Sequence, residues 1–129
     1  MRQEVWLDTL AAPVSHYTHA VRFGNLLFLS GVGPTAPDGS IVGVGDIRRQ
    51  TEQVLTNIQT VLAAEGATYA NVLRVTVYLT DINDRAAVDE VRKRFFGEHR
   101  PASTLIEVSK FVRSDAGMAI EIEAVAGLD

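Results

Sequence analysis

The sequence predicts an α+β fold of two layers, with two helices on one face of a mixed β-sheet. Two observations carry that expectation. Two stretches place apolar residues at three- and four-residue steps, so each buries one side only, and five strand-like segments lie around them. The 129 residues, 47% hydrophobic and 22% charged, suit one domain spanning residues 1–129, with no linker or repeat to divide it.

Val21–Phe23 and the apolar run Leu26–Ser30 flank Gly24-Asn25, good tight-turn chemistry, and read as a hairpin. The Gly- and Pro-rich stretch Gly31–Gly45 reads as a loop. From there Ile47, Val54, Leu55, Ile58, Val61 and Leu62 share one helical stripe, with Asp46 as N-cap and Gly66 at the expected left-handed end. Leu73, Val75, Val77 and Leu79 then alternate with Arg74, Thr76, Tyr78 and Thr80, which describes a half-buried strand. Asp81–Asp84 turns the chain into a second helix that points Val88, Val91 and Phe95 inward and ends at Gly97. Its basic run Arg92-Lys93-Arg94 reads as a solvated face. Strands near Thr104–Val108 and Met118–Ala126 complete the order β-β-α-β-α-β-β.

Both helices cover the same side of the sheet. The other side carries Thr76, Tyr78, Glu121, Glu123 and Val125. Such a half-polar face suits an oligomer interface, although an antiparallel sheet can also face water.

Composition narrows the chemistry. Without cysteine there is no disulfide, thiolate nucleophile or Cys-ligated metal. His16 and His19 have metal-like spacing but no third ligand nearby, and Gly43-Val44-Gly45 lacks the third glycine of a dinucleotide loop, so neither metal nor cofactor is expected. Twelve basic residues against sixteen acidic ones, net charge −4, form no polybasic stripe and argue against nucleic acid as a partner. No apolar run approaches the ~20 residues of a membrane span. Met1–Leu10 carries Glu4 and Asp8 and no secretory h-region, so the expected compartment is the cytoplasm.

Six blocks in order carry a resemblance: YTHAV (Tyr17–Val21), GNLLFLSG (Gly24–Gly31), DIRRQTEQVLTNI (Asp46–Ile58), NDRAAVDEV (Asn83–Val91), FFGEHRPA (Phe95–Ala102) and IEIEAVA (Ile120–Ala126). Together they resemble the Rid family of reactive intermediate deaminases, also called YjgF. The resemblance implies a chorismate-mutase-like fold assembled as a homotrimer, with sheets facing a central barrel and small-molecule sites between subunits. It also implies cofactor-free hydrolysis of imines or enamines such as 2-aminoacrylate to a 2-keto acid and ammonia.

In the deaminating members, an arginine in a Pro-Ala-Arg-Ser-type motif grips the substrate carboxylate bidentately. Here the motif reads Pro101-Ala102-Ser103-Thr104, with Ser103 at the arginine position. One neutral hydrogen bond in place of two charge-assisted ones costs roughly 10²-fold in carboxylate affinity. Arg100 is a poor substitute, since an odd offset along a strand points it away from Ser103. The expectation is therefore a ligand that is larger, uncharged or anchored elsewhere.

By the resemblance, Glu121 positions the hydrolytic water and Tyr17 hydrogen-bonds ligand or water. Read from the strand alone, Glu121 and Glu123 lie on a solvated face, and Glu123 keeps that reading. Ser30 and Gly31 match a Ser-Gly pair lining the cleft, and Ser103 and Thr104 would contact substrate. The family's Gly-Pro before the tyrosine and Gln after it are here Ser15-His16 and His19, so the wall differs; His19 becomes a candidate substrate contact, and His16 or His19 a candidate proton shuttle near Tyr17. Asp89 stands where Asn is frequent, most simply on a solvated helix face. The reaction expected is hydrolysis of a small C–N metabolite. The alternative is a non-catalytic metabolite-binding trimer. RNA cleavage, attributed to some relatives, fits the acidic charge poorly.

Overall fold

Five strand-like segments and two helical stripes become six strands and two helices. The computed structural model describes all 129 residues as β1 (Arg2–Val5), β2 (Ala20–Phe23), β3 (Leu26–Val32), α1 (Ile47–Ala64), β4 (Val72–Leu79), α2 (Arg85–Phe96), β5 (Ala102–Glu107) and β6 (Ile120–Gly127). One sheet runs β1-β2-β3-β6-β4-β5. Every pairing is antiparallel except β4 with β5, which α2 connects as a parallel crossover.

Local chemistry sets the element ends. The Asp46 carboxylate accepts the Arg49 amide at 3.1 Å, satisfying one of the orphan donors in the first turn of α1. Gly66, at φ +72°, follows the last turn in the left-handed region that a side chain would resist. Asp81 accepts from the Asn83 amide at 2.9 Å and opens a single 3-10 turn that leads into α2.

The core lies between the helices and one face of the sheet. Val54, Leu55, Ile58, Val61 and Leu62 of α1 meet Leu27, Leu29, Val75, Val77, Ile120 and Ile122, all buried. Two polar side chains inside it hold the long loop that the Gly- and Pro-rich stretch predicts. Gln50 donates to the carbonyls of Gly43 and Gly117 at 3.2 and 2.8 Å and accepts from the Ala119 amide at 2.9 Å. Asn57 donates to the carbonyls of Gly33 and Thr35 at 3.2 and 2.9 Å. Buried amides satisfied in this way rigidify loops that no ladder holds.

Three details depart from the sequence pattern. β1 has no apolar alternation because it is an edge strand with only Val5 buried; its charged residues discourage further pairing. Leu73 leaves the core, 51% exposed, because a bulge between Val72 and Arg74 gives its inward place to Val72. On α2 it is Phe96 that is buried, while Phe95 is half-buried; both rings pack on Tyr69.

Candidate active site

The uncovered face of the sheet is built by register. Glu121 of β6 stands opposite Tyr78, which stands beside Ile106; Glu123 stands opposite Thr76, which stands beside Thr104. Where β3 leaves its register with β6 after Leu29, the strand opens into a cleft of about 640 Å³. Its lining brings together Tyr17, the adjacent Ser30 and Gly31, and Glu121, from three separate stretches of the chain.

Gly31 is dictated by contact. A Cβ there would sit 2.7 Å from the Glu121 carboxyl carbon and 2.9 and 3.0 Å from its oxygens. The missing side chain is therefore the space that the carboxylate occupies. Glu121 accepts no hydrogen bond from any group of the chain. Burial first, and then the nearby Glu123 charge, push its carboxyl above the usual carboxylate range. Glu123 is differently placed: it accepts the Tyr78 hydroxyl at 2.5 Å. That hydrogen bond, with burial and the Glu123 charge, raises the Tyr78 phenol. Two carboxylates two residues apart thus have different states, one committed to a phenol and one unpartnered in the cleft.

Tyr17 is 43% exposed, and its hydroxyl oxygen accepts only a long contact, 3.4 Å, from the Val14 amide. Its proton remains available. Ser30 lines the cleft but donates its hydroxyl to the Thr18 carbonyl at 2.5 Å, leaving its oxygen as an acceptor. His19 also lines the cleft, with both ring nitrogens held by backbone. Nδ1 accepts from the Leu7 amide at 3.1 Å, and Nε2 lies 2.9 Å from the Ala11 carbonyl. A neutral ring protonated at Nε2 satisfies both, so His19 ties the Leu7–Ala11 segment in place and has no nitrogen left for substrate or shuttling.

Ser103 and Thr104 do not enter this cleft. Thr104 lies on the open face, where its hydroxyl accepts from Arg74 at 2.9 Å. Ser103, paired with inward-facing Val75, points to the helix side, and its hydroxyl accepts from Arg92 of α2 at 3.1 Å. Tyr78 and the cationic pair Lys110 and Arg113 line the cleft without having been singled out as site residues. Tyr78 is legible only as part of a polar strand face, and the two cations lie in an irregular segment without periodicity. No group of three or more His, Asp or Glu side chains converges as a metal would require, and no helix is long and apolar enough to cross a membrane.

A family model described as endoribonuclease L-PSP matches residues 9–128. The chain is 40% identical over 126 residues to a RutC family protein of Pyrococcus horikoshii, covering 98% of each chain. It is 30% identical over 125 residues to TdcF of Escherichia coli, provisionally named a reactive intermediate deaminase, covering 93% of this chain and 94% of that one. Among solved structures it resembles the yeast protein YEO7, with a TM-score of 0.93 at 33% identity and full coverage of both chains. It also resembles TdcF with bound serine, with a TM-score of 0.89 at 28% identity, covering 98% of this chain and 99% of that one. Matched over nearly its whole length by model, sequence and fold, the chain belongs to the endoribonuclease L-PSP family, which is the Rid or YjgF family its six ordered blocks resemble.

Proposed function

We propose that this protein hydrolyses an imine or enamine of a small metabolite, in clefts between the subunits of a homotrimer. The observation that carries the reading is Glu121: an unpartnered, half-buried carboxylate of raised pKa, in contact with a glycine that cannot be enlarged without moving it. A group tuned toward neutrality and open to a cleft suits general-base work.

The chemistry balances without a cofactor. An enamine first takes a proton on its β-carbon and becomes the iminium, the imine protonated at nitrogen. Glu121 removes a proton from a water as the water oxygen bonds to the imine carbon, giving a carbinolamine. The protonated Glu121 then returns that proton to the departing nitrogen as the C–N bond breaks. Glu121, again a carboxylate, takes the carbinol hydroxyl proton as the oxygen becomes the ketone and ammonia leaves; that proton returns to solvent and replaces the one taken up on the β-carbon. Tyr17, whose hydroxyl proton is uncommitted, holds the water or the substrate nitrogen.

Two features support a cleft completed by a second copy. The open sheet face exposes Phe28 (45%) and Ile106 (42%), with Val125 between Phe28 and Arg74 by register. None of the Pro-Ala-Ser-Thr segment lines the cleft of its own chain, which leaves it to serve a neighbouring subunit. The bound serine of TdcF is a small amino acid, in keeping with a small-metabolite site. The net charge of −4, with no polybasic stripe to hold a phosphodiester backbone, favours this reading over RNA cleavage.

The test is ammonia release from imino acids generated in situ, with wild type and Glu121→Gln. Acceleration by wild type and its loss in the variant, with trimers intact in both, support hydrolysis. Calorimetric binding without acceleration by wild type would establish a metabolite-binding trimer instead.

A further inference from the structure

The basic run of α2 does not behave as one solvated face. Lys93 pairs with Asp89 at 3.7 Å and Arg94 with Glu52 at 3.3 Å, both as exposed ion pairs. Arg92 is half-buried and has no carboxylate within ion-pair distance. Its one hydrogen bond runs to the Ser103 hydroxyl oxygen at 3.1 Å, and its guanidinium carbon lies 5.9 Å from the centroid of the Phe96 ring. Five donors in a rigid fork are thus offered a single neutral acceptor. Burial outweighs the Asp89 charge and draws the guanidinium below the usual arginine value, although arginine remains charged at neutral pH. Desolvating a cation without an anion to compensate is unfavourable, and a bound carboxylate would relieve it.

The position of this cation matters as much as its lack of a partner. Ser103 occupies the place in the Pro-Ala-Ser-Thr segment where the motif carries arginine, and α2 delivers a guanidinium to that same residue. The Phe96 ring limits how the fork can turn. The Ser103 hydroxyl, which accepts from Arg92, keeps its own proton free to donate to an anion seated against the fork.

We propose that Arg92 is the carboxylate anchor of this protein, supplied from the helix instead of the strand, for the 2-oxo-acid imines and enamines that the resemblance implies. The inference rests on the inter-subunit reading above. Within one chain, Ser103 and Glu121 lie on opposite faces of the sheet, so Arg92 of one copy serves the Glu121 cleft of the next. The serine therefore changes where the charge comes from and does not abolish carboxylate recognition.

The probes are pyruvate, which carries the carboxylate of such a product, and pyruvamide, its neutral counterpart. Calorimetric titration of wild-type trimer should show binding of pyruvate, weakened roughly 10²-fold in Arg92→Ala, with pyruvamide affinity unchanged. Adding Ser103→Arg to Arg92→Ala should restore pyruvate binding by returning a guanidinium to the strand. In turnover, Arg92→Ala should raise KM with kcat within a few-fold of wild type, whereas Glu121→Gln loses kcat. Refolding Arg92→Ala and Glu121→Gln chains together should regain about one intact site in four, because neighbouring subunits would supply the two residues. Wild type that does not bind pyruvate, equal loss of pyruvate and pyruvamide in Arg92→Ala, or no regain in mixed trimers would each overturn the anchor. If Glu121→Gln keeps full turnover while Arg92→Ala loses pyruvate selectively, Glu121 is not the base and the anchor stands; if wild type binds pyruvate through Arg92 without accelerating hydrolysis, the hydrolytic reading fails and the anchor stands.

Discussion

Strand β6 borders two regions that share a backbone and differ in chemistry. Ile120, Ile122, Ala124 and Ala126 point into the helix-covered core and are almost wholly buried, while Glu121, Glu123 and Val125 point to the open face. Period-two alternation makes the separation sharp, because neighbouring residues cannot share a face. The covered face is held by close packing and tolerates no cavity. The open face keeps an unpartnered carboxylate and half-exposed rings, neither of which a lone folded chain requires. Stability and function are therefore expected to respond to different substitutions on the same strand, and the largest effects test that division most directly.

Glu121→Gln should reduce kcat/KM by about 10²- to 10⁴-fold, as loss of a general base does, measured by ammonia release. Its effect on stability should have the opposite sign. The folded pKa of Glu121 is raised, so the native state favours the protonated carboxyl. The stabilising contribution is fully present below the unfolded carboxylate value and is lost as pH rises through the raised folded one. Glutamine, which stays neutral, should raise Tm at pH 7, with the gain disappearing in acid. A fall in Tm at pH 7 would mean that Glu121 supports the fold and would remove the contrast between the faces.

One residue along, Ile122→Ala opens a cavity in the core and should cost about 2–5 kcal/mol in denaturant unfolding. At a temperature where the variant is still folded, its turnover should stay close to wild type. A smaller effect is expected where the faces meet. Gly31→Ala places a methyl where the Glu121 carboxylate lies, and a flexible side chain moves aside at little energetic cost. Turnover should fall about tenfold or more, since a displacement near 1 Å is enough, with the unfolding midpoint nearly unchanged. Equal losses of stability and activity would show the glycine to be structural.

The sequence made the covered face far more legible than the open one. Core residues announce themselves by period, as Val54 to Leu62 and Val75 to Leu79 do, and buried positions have few chemical alternatives. Leu73 defeats the period because a bulge cannot be read from alternation. The open face depends on which strands lie side by side. That Tyr78 would meet Glu123, or Gly31 the Glu121 carboxylate, follows from register and a strand irregularity, and neither is encoded within one segment. The six blocks did single out Glu121, Tyr17, Ser30 and Gly31, which share one cleft. They could not show that His19 spends both nitrogens on the backbone, or that Ser103 accepts a hydrogen bond from a helix eleven residues earlier.

The smallest effect separates the two glutamates themselves. A general base must be ionised, so kcat/KM should fall as pH drops through the raised Glu121 pKa, giving an acid limb above the ordinary carboxylate range. Part of that elevation comes from the Glu123 charge, and burial contributes more. Glu123→Gln removes the charge and leaves the burial, so the acid limb should move to lower pH without reaching the ordinary range. Tyr78→Phe provides the control: it deletes the hydroxyl that Glu123 accepts but keeps both carboxylates, so the limb should stay raised. A limb unmoved by Glu123→Gln would assign the whole elevation to burial. A limb that moves upward would mean that the Tyr78–Glu123 pair stabilises the ionised form of Glu121 through the cleft, which the unpartnered state of its carboxylate argues against.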